Sequence, residues 1–115
     1  MPRYKFERDC IYCDNVRIGN IYRDCIYRGS SSSPGLGDRV GNIYRGCIYE
    51  GSSSSPGLGT RIGNVYNGYV YSGSSSSPGL GQRVCEVDDV TIPGIEHEKD
   101  EMIAAVYHFL IKKFL

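Results

Sequence analysis

Tryptophan is absent from this chain, and histidine occurs only at His97 and His108. So few imidazoles leave little room for histidine-based catalysis or metal binding. His97-Glu98 is half of an H-E-x-x-H zinc motif, but Glu101 stands where the second histidine would have to be. The two histidines are eleven residues apart, and the first reads as a solvated side chain at an acidic helix start. No apolar run is long enough to cross a bilayer. The opening Met1-Pro2-Arg3-Tyr4-Lys5 is not an apolar leader, so a cytoplasmic location without a membrane partner is expected. Neither sign of charge is in excess, since 13 basic residues balance 13 acidic ones. That argues against a strong global field for nucleic acid, so a nucleic-acid partner is not expected, although a local basic patch stays open.

An even cysteine count is also lacking. Five cysteines do not suit a secreted disulfide framework. Cys10 and Cys13 form a C-x-x-C without the second pair that a zinc site would need, so the thiols read as small side chains on strands. The three serine runs have no neighbouring histidine and no G-x-S-x-G elbow, and no phosphate-binding G-x-x-x-x-G-K-[ST] occurs. No catalytic residue, metal or cofactor is therefore assigned.

What the chain does have is repetition. Gly29-Ser30-Ser31-Ser32-Ser33-Pro34-Gly35-Leu36-Gly37 recurs unchanged at residues 51–59 and 73–81. Arg17, Arg39, Arg61 and Arg83 fall at intervals of 22 residues. The first three open Arg17-Ile-Gly-Asn-Ile-Tyr22, Arg39-Val-Gly-Asn-Ile-Tyr44 and Arg61-Ile-Gly-Asn-Val-Tyr66. Two turn residues and a second short run follow: Cys25-Ile-Tyr27, Cys47-Ile-Tyr49 and Tyr69-Val-Tyr71. Asn67-Gly68 between β-branched, tyrosine-rich runs signals a two-residue hairpin, and Arg23-Asp24 and Arg45-Gly46 occupy the same position.

That loop length fixes the register. Tyr22 faces Cys25, Ile21 faces Ile26, and Asn20 faces Tyr27. Alternation puts the β-branched pairs on an inner face and the tyrosines on a half-buried outer face. A weaker hairpin is expected around Arg8-Asp9, with Phe6 opposite Ile11 and Lys5 opposite Tyr12. A fifth is expected beyond Arg83, with Val87 facing Ile92 across Asp89-Val90 until Pro93 ends the ladder. The long connections read as ordered loops, with proline fixing φ, two glycines available for positive φ, and Leu36, Leu58 and Leu80 as apolar anchors.

The R-[IV]-G-N-[IV]-Y-x-x-[CY]-[IV]-Y pattern resembles hairpin repeats of small bacterial proteins of unknown function. Some of these have flower-like β architectures and some travel on mobile gene cassettes. The resemblance spans roughly residues 6–92 and implies a fold class but no activity.

The expected fold is α+β and mainly β. Five antiparallel hairpins fill residues 1–94, and an amphipathic helix fills residues 95–115. Closure into a wheel or barrel is preferred because it removes sheet edges, with an open meander or solenoid as the alternative. In the helix Ile103, Val106, Tyr107, Leu110, Ile111 and Phe114 recur at helical spacing. They can cover the sheet or meet a second copy, so self-association is the expected partnership.

Two functional classes follow. The first is a non-enzymatic binding or assembly module. Arg17, Arg39, Arg61 and Arg83, placed by strict alternation on the rim of the β-branched side, would join Ser30, Ser52 and Ser74 in holding a small anionic or hydroxylated ligand. The plainer reading is that each arginine caps a local carbonyl or pairs with an acid. The second class is a small enzyme with its site between repeats or subunits.

Overall fold

The computed structural model describes residues 3–31, 33, 35–53, 55, 57–75, 77 and 79–115. The strands are β1 (Tyr4–Glu7), β2 (Cys10–Cys13), β3 (Val16–Tyr22), β4 (Cys25–Arg28), β5 (Asp38–Tyr44), β6 (Cys47–Glu50), β7 (Thr60–Tyr66), β8 (Tyr69–Ser72) and β9 (Gln82–Glu86). They form one nine-stranded antiparallel sheet in sequence order. The tight turns Arg8-Asp9, Asp14-Asn15, Arg23-Asp24, Arg45-Gly46 and Asn67-Gly68 all have positive φ at both residues. This is the conformation whose twist matches that of the flanking strands. The expected registers are present: Tyr22 opposite Cys25, Ile21 opposite Ile26, Asn20 opposite Tyr27, and Phe6 opposite Ile11.

Two expectations are overturned. The sheet is open, not a closed wheel or barrel. In an up-and-down sheet with an odd number of strands the first and last run parallel, so closure would require a parallel pair. Instead the outer edge of β1 is met by an irregular segment, with the Phe6 N–H donating to the Pro93 carbonyl at 2.8 Å. The fifth hairpin is also absent. Val87–Val90 form a 3-10 helix. No residue there has the positive φ of a tight turn. Instead the Glu86 N–H donates to Asp89 Oδ2 at 3.1 Å and the Thr91 hydroxyl donates to the Val87 carbonyl at 2.9 Å.

A bulge recurs in every unit. Ile11 pairs with Gly19, but Tyr12 pairs with Arg17, leaving Ile18 as an extra residue. The same slip occurs at Ile26/Tyr27, Ile48/Tyr49 and Val70/Tyr71. One extra residue reverses strand alternation. Ile18, Val40 and Ile62 therefore pack against the core, and the arginines that precede them move to the outer, tyrosine-bearing face.

The helix α1 (Asp100–Val106) continues as a π-helical turn over Tyr107–Ile111, shorter than the 95–115 segment. Met102, Ile103, Ala104, Ala105 and Val106 are all buried. Five consecutive buried residues mean that the helix is covered all round. The β-branched face of the sheet shares one core with it, and Val87, Val90, Ile92 and Ile95 belong to the same core. Tyr107, Leu110, Ile111 and Phe114 pack against this core from half-buried positions.

The repeated glycine at the bulge makes room for the end of the helix. A Cβ on Gly19 would lie 2.7 Å from Leu110 Cδ1, and one on Gly63 would lie 3.1 Å from Leu115 Cδ2. On Gly41 it would overlap the Phe109 ring. The tail is folded back by His108, whose Nδ1 accepts the Phe114 and Leu115 N–H groups at 3.0 and 3.1 Å.

Burial holds the His108 imidazole below its ordinary pKa; Glu50 opposes this and Lys113 reinforces it. Protonating Nδ1 would expel both donors. The unfolded chain takes up this proton from about pH 6.5 downward and the folded chain resists it. The His108 contribution to stability is therefore complete above about pH 6.5 and is lost as the pH falls toward the depressed folded value. Denaturant midpoints measured between pH 7.5 and 5 should fall, and His108→Gln should flatten the slope.

Candidate functional site

The outer face of the sheet is covered by the serine-rich loops of the chain itself. Asn20, Asn42 and Asn64 are buried on that face. Each clamps the loop that folds back over its hairpin. Asn20 Nδ2 donates to the Leu36 carbonyl at 3.0 Å, while its Oδ1 accepts the Gly35 N–H at 2.9 Å. Asn42 does the same with Leu58 and Gly57, and Asn64 with Leu80 and Gly79. One amide thus satisfies a donor and an acceptor of an irregular loop that has no ladder of its own. Gly35 and Gly37 have φ of 85° and 111°, as the sequence led one to expect. The leucine side chains are not the anchors, because Leu36, Leu58 and Leu80 are 55–56% exposed. Their backbone carbonyls are held instead. Pro34, Pro56 and Pro78 lie outside the described residues.

The repeated arginines complete this layer. Arg17 Nε donates to the Ser30 carbonyl at 3.0 Å, Arg39 to Ser52 at 2.7 Å and Arg61 to Ser74 at 2.7 Å. The same guanidinium groups lie over the rings of Tyr12, Tyr27 and Tyr49 at 5.7–5.9 Å and donate to their hydroxyls. Each arginine therefore caps a local carbonyl. Arg83, which has no serine loop after it, lies over Tyr69 at 4.8 Å. Placing these arginines on the β-branched side required unbroken alternation, and the bulge breaks it.

Arg17 and Ser30 also border a cleft of about 420 Å³ at the loop end of the sheet. Tyr4, Cys13, Ile18, Arg28, Gly29 and Leu110 complete its lining. The Arg28 Nη2 group donates to the Phe109 carbonyl at 2.6 Å, which fixes that side chain against the helix. Ser52, Ser74, Arg39, Arg61 and Arg83 line no part of it.

Sequence reasoning missed Arg28 and gave the asparagines no role. Both left a signal. Asn is invariant in the repeats, whereas the position of Arg28 is Glu50 and then Ser72 in units otherwise nearly identical.

Burial pushes the Cys25, Cys47 and Cys85 thiols up from their ordinary pKa, so they stay protonated at neutral pH. His97 is exposed and His108 is buried in the core. Among the described residues no three of His, Cys, Asp and Glu gather where they could hold a metal ion.

Comparisons of the chain with family models, curated proteins and solved structures find no match.

Proposed function

We propose that the protein is a non-enzymatic binding module that takes a small anionic or hydroxylated ligand at the loop rim of its sheet. The observation that carries this reading is the cleft at that rim, whose lining includes two arginines, Arg17 and Arg28, together with Ser30. The assembly variant has less support, since Ile103 and Val106 are buried within this chain.

A thermal-shift panel of phosphates, carboxylates, sugars and nucleotides tests it. A ligand at about a hundred times its dissociation constant adds roughly 2.7 kcal/mol, a rise of several degrees in the midpoint. The expected result is a hit that Arg17→Gln abolishes. No shift with any member of the panel, in a protein with a sharp melting transition, would contradict the reading.

A further inference from the structure

Three nearly identical units would offer three equal clefts if they were equal throughout, but they differ where it matters. The strand-end position that is Arg28 in the first unit is Glu50 in the second and Ser72 in the third. Glu50 would repel an anion, and it is paired with Lys113 at 4.0 Å. Tyr4 and Cys13, on the other wall, come from β1 and β2, the hairpin without a serine loop. Two arginines thus border one cleft at the first unit, a pair that the sequence does not repeat in the other two.

Both guanidinium groups are prepositioned. Arg17 is held by the Ser30 carbonyl and the Tyr12 ring, and Arg28 by the Phe109 carbonyl. An arginine has five N–H donors, so each keeps several for a ligand. A carboxylate fits such a fork, and a side chain already fixed loses less freedom on binding.

Much of the rest of the cleft is apolar. Ile18 and Leu110 pack against the hydrophobic core, and Tyr4 presents its ring beside them. A volume near 420 Å³ suits a small organic molecule. A bare inorganic ion would leave the apolar part of this space unused.

Resting on the reading that the rim binds an anion, we propose that this cleft binds a small amphipathic carboxylate. The carboxylate is taken up at the end of the cleft that Arg17 and Arg28 border, and the hydrocarbon body lies on Ile18 and Leu110.

The test is titration calorimetry of the full chain with octanoate, octanol and inorganic phosphate. The proposal expects octanoate to bind at one site per chain and at least tenfold more tightly than either of the others. Arg17→Gln should weaken octanoate at least tenfold. Arg39→Gln removes the same kind of serine cap and tyrosine contact beside Glu50, and should leave octanoate binding unchanged. Equal losses in the two variants would overturn the proposal, because the effect would then be structural. So would octanoate binding insensitive to both Arg17→Gln and Arg28→Gln. Phosphate binding that is tighter than octanoate and lost in Arg17→Gln would overturn the amphipathic ligand while leaving an anion site at the rim. Silence from all three probes would overturn this proposal, whereas the broader reading would fall only if the wider panel were silent too.

Discussion

Replacing Phe109 by alanine should lower the stability by about 3–5 kcal/mol, the usual cost of emptying a buried aromatic site. Phe109 is 4% exposed, and its ring occupies the notch that Gly41 leaves in β5. Its carbonyl also accepts the Arg28 guanidinium, so the residue ties the helix to β4 as well as to β5. Against a total of about 5–15 kcal/mol for a domain this is a large fraction. The denaturant midpoint should drop steeply, and the thermal midpoint should fall by about 10 °C or more. The notch can be tested from the other side. Gly41→Ala should cost about 1–3 kcal/mol by overpacking, because its Cβ would meet both the Phe109 ring and, at 2.7 Å, the Tyr49 carbonyl. In the Phe109→Ala background that cost should shrink but not vanish, since the carbonyl obstruction remains. Strictly additive losses would show that ring and notch do not interlock.

Asn42→Leu should be the second large loss. Asn42 is fully buried, and its amide holds the Gly57 N–H at 2.8 Å and the Leu58 carbonyl at 2.9 Å. Leucine fills the volume but leaves both backbone groups without a partner, at about 1–3 kcal/mol each if they stay buried. The loop can escape that cost only by lifting into water, which uncovers the outer face around Tyr49, now 6% exposed. Either route should cost about 2–4 kcal/mol, read from the denaturant midpoint. Asn42→Asp keeps one acceptor but sets a buried carboxylate against the Leu58 carbonyl, so at neutral pH it should cost at least as much as leucine, and less at acid pH where the protonated acid can donate.

Much of this fold could be read from the chain because its turn chemistry is local. Asn67-Gly68 marks one hairpin outright, and the 22-residue repeat carries that assignment to Arg23-Asp24 and Arg45-Gly46, where Arg23, Asp24 and Arg45 take positive φ without a glycine's ease. Register and the inner β-branched face follow from a two-residue loop. The bulge was not legible in the same way. Ile18 looks like any strand residue, and only the cross-strand pairing shows it to be supernumerary. Missing it placed the arginines on the wrong face. The 3-10 helix at Val87–Val90 replaced a hairpin because Asp89 bonds back to the Glu86 N–H, a local competition that hydrophobic alternation does not register.

The candidate site was half legible. Arg17 and Ser30 stand out by repetition, and the structure puts both on the rim cleft. Repetition also pointed equally to Arg39, Arg61 and Arg83, which line no shared cleft with it. Arg28 was overlooked because it departs from the repeat. In an array of near-copies, the position that varies while its surroundings do not is where one unit differs chemically from the next. The role of the asparagines was hidden for another reason. Their partners lie 15 and 16 residues away in a loop that composition alone makes look like a flexible linker.

The central claim is that the buried asparagines pin the Gly-Leu ends of the three serine-rich loops onto the outer face of the sheet. Amide hydrogen exchange at Gly35, Gly57 and Gly79 tests it most directly, because these N–H groups donate to the buried asparagines. The account predicts slow exchange at all three, comparable to neighbouring strand amides, with Asn42→Leu releasing Gly57 alone. Exchange in the wild-type protein as fast as in an unstructured peptide would contradict it, and the loops would then be linkers beside the sheet.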